Sequence, residues 1–69
     1  MSATADLHRF IHDRRSTLPR PIGGLVGEYR NTSAERAETY DQLDYMQTMG
    51  LVQISGGHIT NITPPPEKQ

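Results

Sequence analysis

Apolar residues in the first half of the chain recur at helical spacing, and those near its end fit a hairpin. Leu7, Phe10 and Ile11 fall at i, i+3 and i+4, which gives one apolar face to a helix that Asp6 can begin or cap. Asp13, Arg14, Arg15 and Ser16 close it on a polar note. Leu18 is expected to tuck into the core, while Pro19 and Pro21 forbid carrying a helix through the connection. Pro21 suits the first turn of a second, short helix, where its missing N–H costs nothing. Leu25, Val26 and Tyr29 supply that helix's apolar contacts. Gly23, Gly24 and Gly27 weaken it by up to about 1 kcal/mol each relative to alanine, and small residues there let another helix approach closely.

The stretch from Asn31 to Thr63 organises the rest. Asn31 tolerates the left-handed conformation that ends a helix. Thr32 followed three residues later by Glu35 is a capping-box pattern and starts a third helix. Tyr40, Leu43 and Met46 share one face of it, with Ala37 at the edge, and Glu38, Asp41 and Tyr45 lie opposite. Gly50 stops the helix. Gly56-Gly57 as a two-residue turn sets Ile54 against Ile59 on one side of a ribbon and Leu51 against Ile62 on the other. Pro64-Pro65-Pro66 ends the sheet, leaving Glu67, Lys68 and Gln69 as a free tail. The expected fold is α+β: one domain over residues 6–63, three helices and then a two-stranded hairpin, with flexible termini at 1–5 and 64–69.

A chain of 69 residues without cysteine has neither disulfides nor thiolate metal sites to supplement a small core. A buried catalytic pocket with its own supporting shell is not expected at this size, and a dimer would help stability. No apolar run reaches the roughly 20 residues of a membrane span, and no secretory signal is visible, so a cytoplasmic protein is expected. The net charge of −1 hides an asymmetry. Arg9, Arg14, Arg15, Arg20 and Arg30 face only Asp6, Asp13 and Glu28 in the first thirty residues, whereas Arg36 and Lys68 face Glu35, Glu38, Asp41, Asp44 and Glu67 in the remainder.

Few residues offer chemistry. His8 and His12, four apart on a helix, have a spacing that can hold a metal, but Arg9 stands where the zinc-protease pattern needs glutamate, and two surface histidines are the simpler expectation. No strand precedes Gly23-Gly24 and no Lys-Ser or Lys-Thr follows, so they are not expected to cradle phosphate. There is no nucleophile–base–orienter set, and neither an enzyme nor a bound cofactor or metal is expected.

A capped helix that ends in Met-Gly-Leu-Val and runs into a tight hairpin resembles the recognition helix and wing of winged helix-turn-helix domains. The resemblance implies a DNA-binding transcriptional regulator acting as a dimer on two half-sites of double-stranded DNA. By the same resemblance Thr32 and Ser33 match the turn that meets a phosphate, Arg36, Ala37, Asp41 and Tyr45 match recognition-helix positions, and Ser55, Gly56, Gly57 and His58 match the wing tip. Arg14, Arg15, Arg20 and Arg30 are the cations expected on phosphates. The third helix departs from that pattern by carrying four carboxylates against Arg36 alone, and non-specific DNA affinity comes from lysine and arginine. The alternative expectation is a protein-interaction module, an adaptor or inhibitor, whose Glu38, Asp41 and Tyr45 dock on a basic partner.

Overall fold

Proline punctuation, one side-chain cap and three left-handed glycines divide the chain into its elements. The structure, a computed structural model, describes residues 3–65, so the tail expected at Glu67–Gln69 lies outside the described residues. The order is α1 (Ala3–Asp13), a 3-10 turn (Arg15–Thr17), β1 (Arg20–Pro21), α2 (Ile22–Tyr29), α3 (Ser33–Thr48), β2 (Val52–Ser55) and β3 (His58–Ile62). Three helices followed by an antiparallel hairpin make a small α+β domain.

Helix α1 begins at Ala3, ahead of the start expected at Asp6. Asp6 is therefore in the first turn, where a carboxylate meets the positive end of the helix dipole. Leu7 and Ile11 are fully buried and Phe10 packs at the rim of the core. His8 is buried too, not on the surface as expected. Its Nε2 donates to the Thr63 carbonyl oxygen at 2.8 Å, which satisfies that nitrogen and ties α1 to the end of the hairpin.

The sheet has three strands, not two, in the order β1-β3-β2. The proline-bound segment Arg20–Pro21 is held extended and pairs with Ile59 and His58 of β3. Proline is admissible there because β1 is an edge. Pro21 consequently caps α2 from outside (φ −59, ψ 136) instead of occupying its first turn. Helix α2 ends with Arg30 extended, and no non-glycine residue among those described has positive φ, so Asn31 does not take the left-handed form.

Helix α3 starts as its cap predicts: the Thr32 hydroxyl oxygen accepts from the Glu35 N–H at 3.2 Å. Its buried face is Thr39, Leu43 and Met46; Tyr40 is 45 % exposed and lies outside the core. Positions spaced 4 and 3 keep within about 60° of the helix circumference, whereas 40, 43 and 46 spread over about 120°. Thr39 tolerates burial because its hydroxyl donates to the Glu35 carbonyl at 2.8 Å. Gly50 (φ +79) ends the helix, with Leu51 N–H donating to Met46 C=O and Gly50 N–H to Gln47 C=O, the two bonds of a Schellman stop.

Gly56 (φ +58) and Gly57 (φ +77) form the two-residue turn, and both need positive φ. Ile54 faces Ile59 as expected, but Ile62 faces Val52, not Leu51. A bulge accounts for the slip. Thr60 is the extra residue on β3, and its hydroxyl donates to the Gln53 carbonyl at 3.2 Å. The bulge also lets Ile59 and Ile62, an odd three apart, both point inward. They close a core of Leu7, Ile11, Leu25, Val26, Leu43, Met46, Val52, Ile59 and Ile62.

Candidate nucleic-acid interface

Four arginines scattered over the sequence gather round α2. Arg14, at the end of α1, stands four residues after Phe10, so both lie on one helix face. Its guanidinium carbon sits 3.6 Å from the Phe10 ring centroid, and Nη1 donates to the Phe10 carbonyl at 3.1 Å. The Phe10 and Tyr29 rings meet across α1 and α2 with centroids 4.8 Å apart, tilted by 56°. Beyond them Arg30 stacks on Tyr29 at 3.9 Å and donates to the Tyr29 carbonyl. The result is a column of cation, ring, ring, cation.

Glu28 fixes a third arginine. Arg20, on β1, reaches it through both terminal nitrogens, and Arg14 Nε stands 3.7 Å from its Oε1. The hydrogen bond from Arg20, reinforced by the charges of Arg20 and Arg14, holds the Glu28 carboxyl below the usual carboxylate range. The same bond raises the Arg20 guanidinium. Arg36, on α3, donates from Nε to the Arg30 carbonyl at 3.3 Å.

The glycines of α2 face these groups. A methyl at Gly24 would stand 4.0 Å from Arg20 Nη2, one at Gly27 3.9 Å from Arg36 Nη2, and one at Gly23 3.7 Å from the Tyr40 hydroxyl. Gly23 and Gly27 are thus matched, four residues apart, by Tyr40 and Arg36 of α3. These are ordinary van der Waals separations, so the contact of α3 with α2 does not depend on the small residues as expected, and α3 presents to α2 its only cation and a phenol.

The opposite flank of α3 has another character. Glu38, Asp41, Tyr45 and Met49 follow one another at three- and four-residue spacing and form a single exposed stripe. Tyr45 is 54 % and Met49 57 % exposed. Among the described residues no ion pair engages Glu35, Glu38, Asp41 or Asp44.

The remaining expected site residues stand apart from the arginine group. Arg15 donates to the His12 carbonyl at 2.8 Å in the turn after α1. Thr32 is committed to its cap, and Ser33 is exposed beside it. His58, at the hairpin tip, donates from Nδ1 to the Gly56 carbonyl at 3.0 Å. Among the described residues no three potential ligands cluster for a metal ion, and no helix is long and apolar enough to cross a membrane.

Sequence reasoning named the cations but missed what arranges them: Phe10, Tyr29 and Glu28. The four-residue step from Phe10 to Arg14 was a legible signal. The clamp from Arg20 to Glu28 was not, because it depends on the extended β1 segment. No family model, curated protein or solved structure matches the chain.

Proposed function

We propose that the chain is a winged-helix module that binds double-stranded DNA, with the arginines round α2 meeting phosphates, and that it serves as a transcriptional regulator. The order of helices and hairpin is compatible with that fold. The observation that carries the reading is the convergence of Arg14, Arg20, Arg30 and Arg36 on one helix, with guanidiniums oriented by aromatic faces, backbone carbonyls and Glu28. The stacked guanidiniums of Arg14 and Arg30 and the singly bonded one of Arg36 keep N–H groups for an anion, while Arg20, bonded to Glu28 through both terminal nitrogens, keeps fewer. Thr32 and Ser33 border Arg36 at the start of α3. The duplex then lies along the α2 flank, and the acidic stripe faces away from it.

Four guanidiniums and one carboxylate leave three net positive charges per copy. Counterion release then sets a slope of log affinity against log salt of about −2.7, a weakening of about 40-fold between 50 and 200 mM salt. Affinity of that kind is modest, and a dimer that doubles the count is the working form. Fluorescence anisotropy of a labelled duplex over a salt series measures the slope. Replacing Arg14 and Arg30 together by alanine should flatten it by roughly two. Absence of binding to any duplex at low salt, or binding indifferent to salt, defeats the proposal.

A second reading rests on the exposed Tyr45 and Met49 beside Glu38 and Asp41. That stripe suits a basic protein surface with an apolar centre. A stoichiometric partner retained after nuclease treatment, and lost when Tyr45 becomes Ala, would favour it over DNA.

A further inference from the structure

The two edges of the sheet are guarded differently. At one, β1 is only two residues long and consists of Arg20 and Pro21. Charge, proline and shortness are the means by which edge strands avoid pairing with other chains. At the other, β2 has β3 as its single neighbour among the described residues, and it has neither charge nor proline. From Leu51 to Thr63 the hairpin contains no Asp, Glu, Lys, Arg or Pro. Its bulge does not protect the edge either, because the extra residue, Thr60, sits on β3.

Beside β2 runs an open groove of about 460 Å³, bordered by Gln47, Gly50, Gln53, Ser55 and Thr60. All of these are uncharged, and Gln53 and Ser55 are exposed. Leu51 and Ile54, one just before the strand and one within it, are only partly buried against the core.

We infer that β2 pairs antiparallel with β2 of a second copy, joining two three-stranded sheets into one of six strands. The occupant follows from the charge pattern. A basic or acidic partner would find nothing on this edge to select it, whereas an identical uncharged strand meets no repulsion and matching amide and hydroxyl side chains. Among the described residues the charged groups lie on the helices, in the turns after α1 and α2, and on β1 at the far edge, with no Asp, Glu, Lys or Arg on β2 or β3, so β2 is the strand that can face itself. Pairing would also extend cover over Leu51 and Ile54. The inference deepens the dimeric form proposed above. It is tested without DNA, so its failure leaves the arginine site standing and failure of DNA binding leaves the dimer standing.

The test is the mass in solution by size-exclusion chromatography with light scattering, on the full chain over a range of micromolar concentrations. The wild type should reach twice 7.7 kDa. Gln53→Lys and Gln53→Glu should each shift to the monomer mass, because like charges then face each other across the new strand pair. An equimolar mixture of the two should recover the dimer. Circular dichroism checks that both variants fold, and the Ser55→Lys and Ser55→Glu pair takes their place should either fail. A wild type that stays monomeric throughout the range, or single variants that keep the dimer mass, would overturn the inference.

Discussion

Removing the acidic stripe decides how a duplex approaches the molecule. Glu38→Gln combined with Asp41→Asn takes two negative charges from exposed positions that make no ion pair among the described residues. Stability should move by no more than about 0.5 kcal/mol. A duplex lying along the α2 flank is separated from the stripe by the width of α3, about 10 Å. At a separation of roughly 15 Å in water, two unit charges interact by about 0.3 kcal/mol. Screening over a Debye length of about 10 Å at 0.1 M salt reduces this below roughly 0.1 kcal/mol per pair. Summed over a few phosphates, the double variant should tighten DNA binding by less than about twofold. With the stripe in the groove instead, each carboxylate would stand about 4 Å from a phosphate, where repulsion is about 1 kcal/mol in water and more near protein. Their removal would then tighten binding tenfold or more. Anisotropy titrations of both proteins at 0.1 M salt separate the two outcomes. A tenfold gain refutes an approach along α2. If the stripe serves a basic protein partner, the same variant weakens that complex, mainly through slower association at low salt.

Three other expectations concern the fold that holds the site. Leu43→Ala should cost about 2–5 kcal/mol and Tyr40→Ala about 1 kcal/mol or less, since only the first opens a cavity; equal costs in chemical denaturation would place Tyr40 in the core after all. The Tyr29 hydroxyl is buried without a hydrogen-bond partner among the described residues, so Tyr29→Phe should keep the ring stack and leave stability unchanged or raised by about 1 kcal/mol, and a clear fall in Tm would show that the hydroxyl has a partner. Glu28, held below the usual carboxylate range by Arg20, contributes stability at pH above the ordinary glutamate value of about 4.3 and loses it as pH falls through the lowered folded value. The difference in Tm between wild type and Glu28→Gln should therefore be constant near neutrality and shrink in acid; a difference that persists undiminished at pH 2 contradicts the clamp.

Local chemistry made much of this architecture legible before any coordinates. The Thr32 cap, the Gly50 stop and the Gly56-Gly57 turn are each set by a few neighbouring residues with narrow backbone requirements, and each is found where those residues place it. Features that depend on contacts between distant segments were not legible. Arg20–Pro21 has no strand pattern of its own and becomes β1 only because Ile59 and His58 lie beside it. The bulge at Thr60 shifts the hairpin register by one residue, and a pairing rule applied from the turn outward has no means of detecting it. His8 reads as a surface residue until Thr63 is brought over it from 55 positions away. At the candidate site the cations were visible as a charge asymmetry, but their convergence depends on Glu28 and on the Phe10–Tyr29 contact, neither of which is local.

The meaning of the acidic third helix turns on which of its faces is buried. Summed along the chain, four carboxylates against Arg36 count against any contact with a polyanion. A helix does not present its sum, however. It presents one flank at a time, and burial of Thr39, Leu43 and Met46 determines which. With Thr39 inward, Arg36 and Tyr40 lie over Gly27 and Gly23 of α2, beside Arg30 and near the guanidiniums gathered on Glu28. Glu38 and Asp41 are carried round to the outward flank with Tyr45 and Met49. A polyanion approaching along α2 meets arginines first; one approaching from the outward flank meets carboxylates with nothing to neutralise them. Asp44, four residues after Tyr40, stays on the flank of Arg36 and Tyr40, so Glu38 and Asp41 argue against the outward direction of approach, while the α2 side is left with one α3 carboxylate among its arginines.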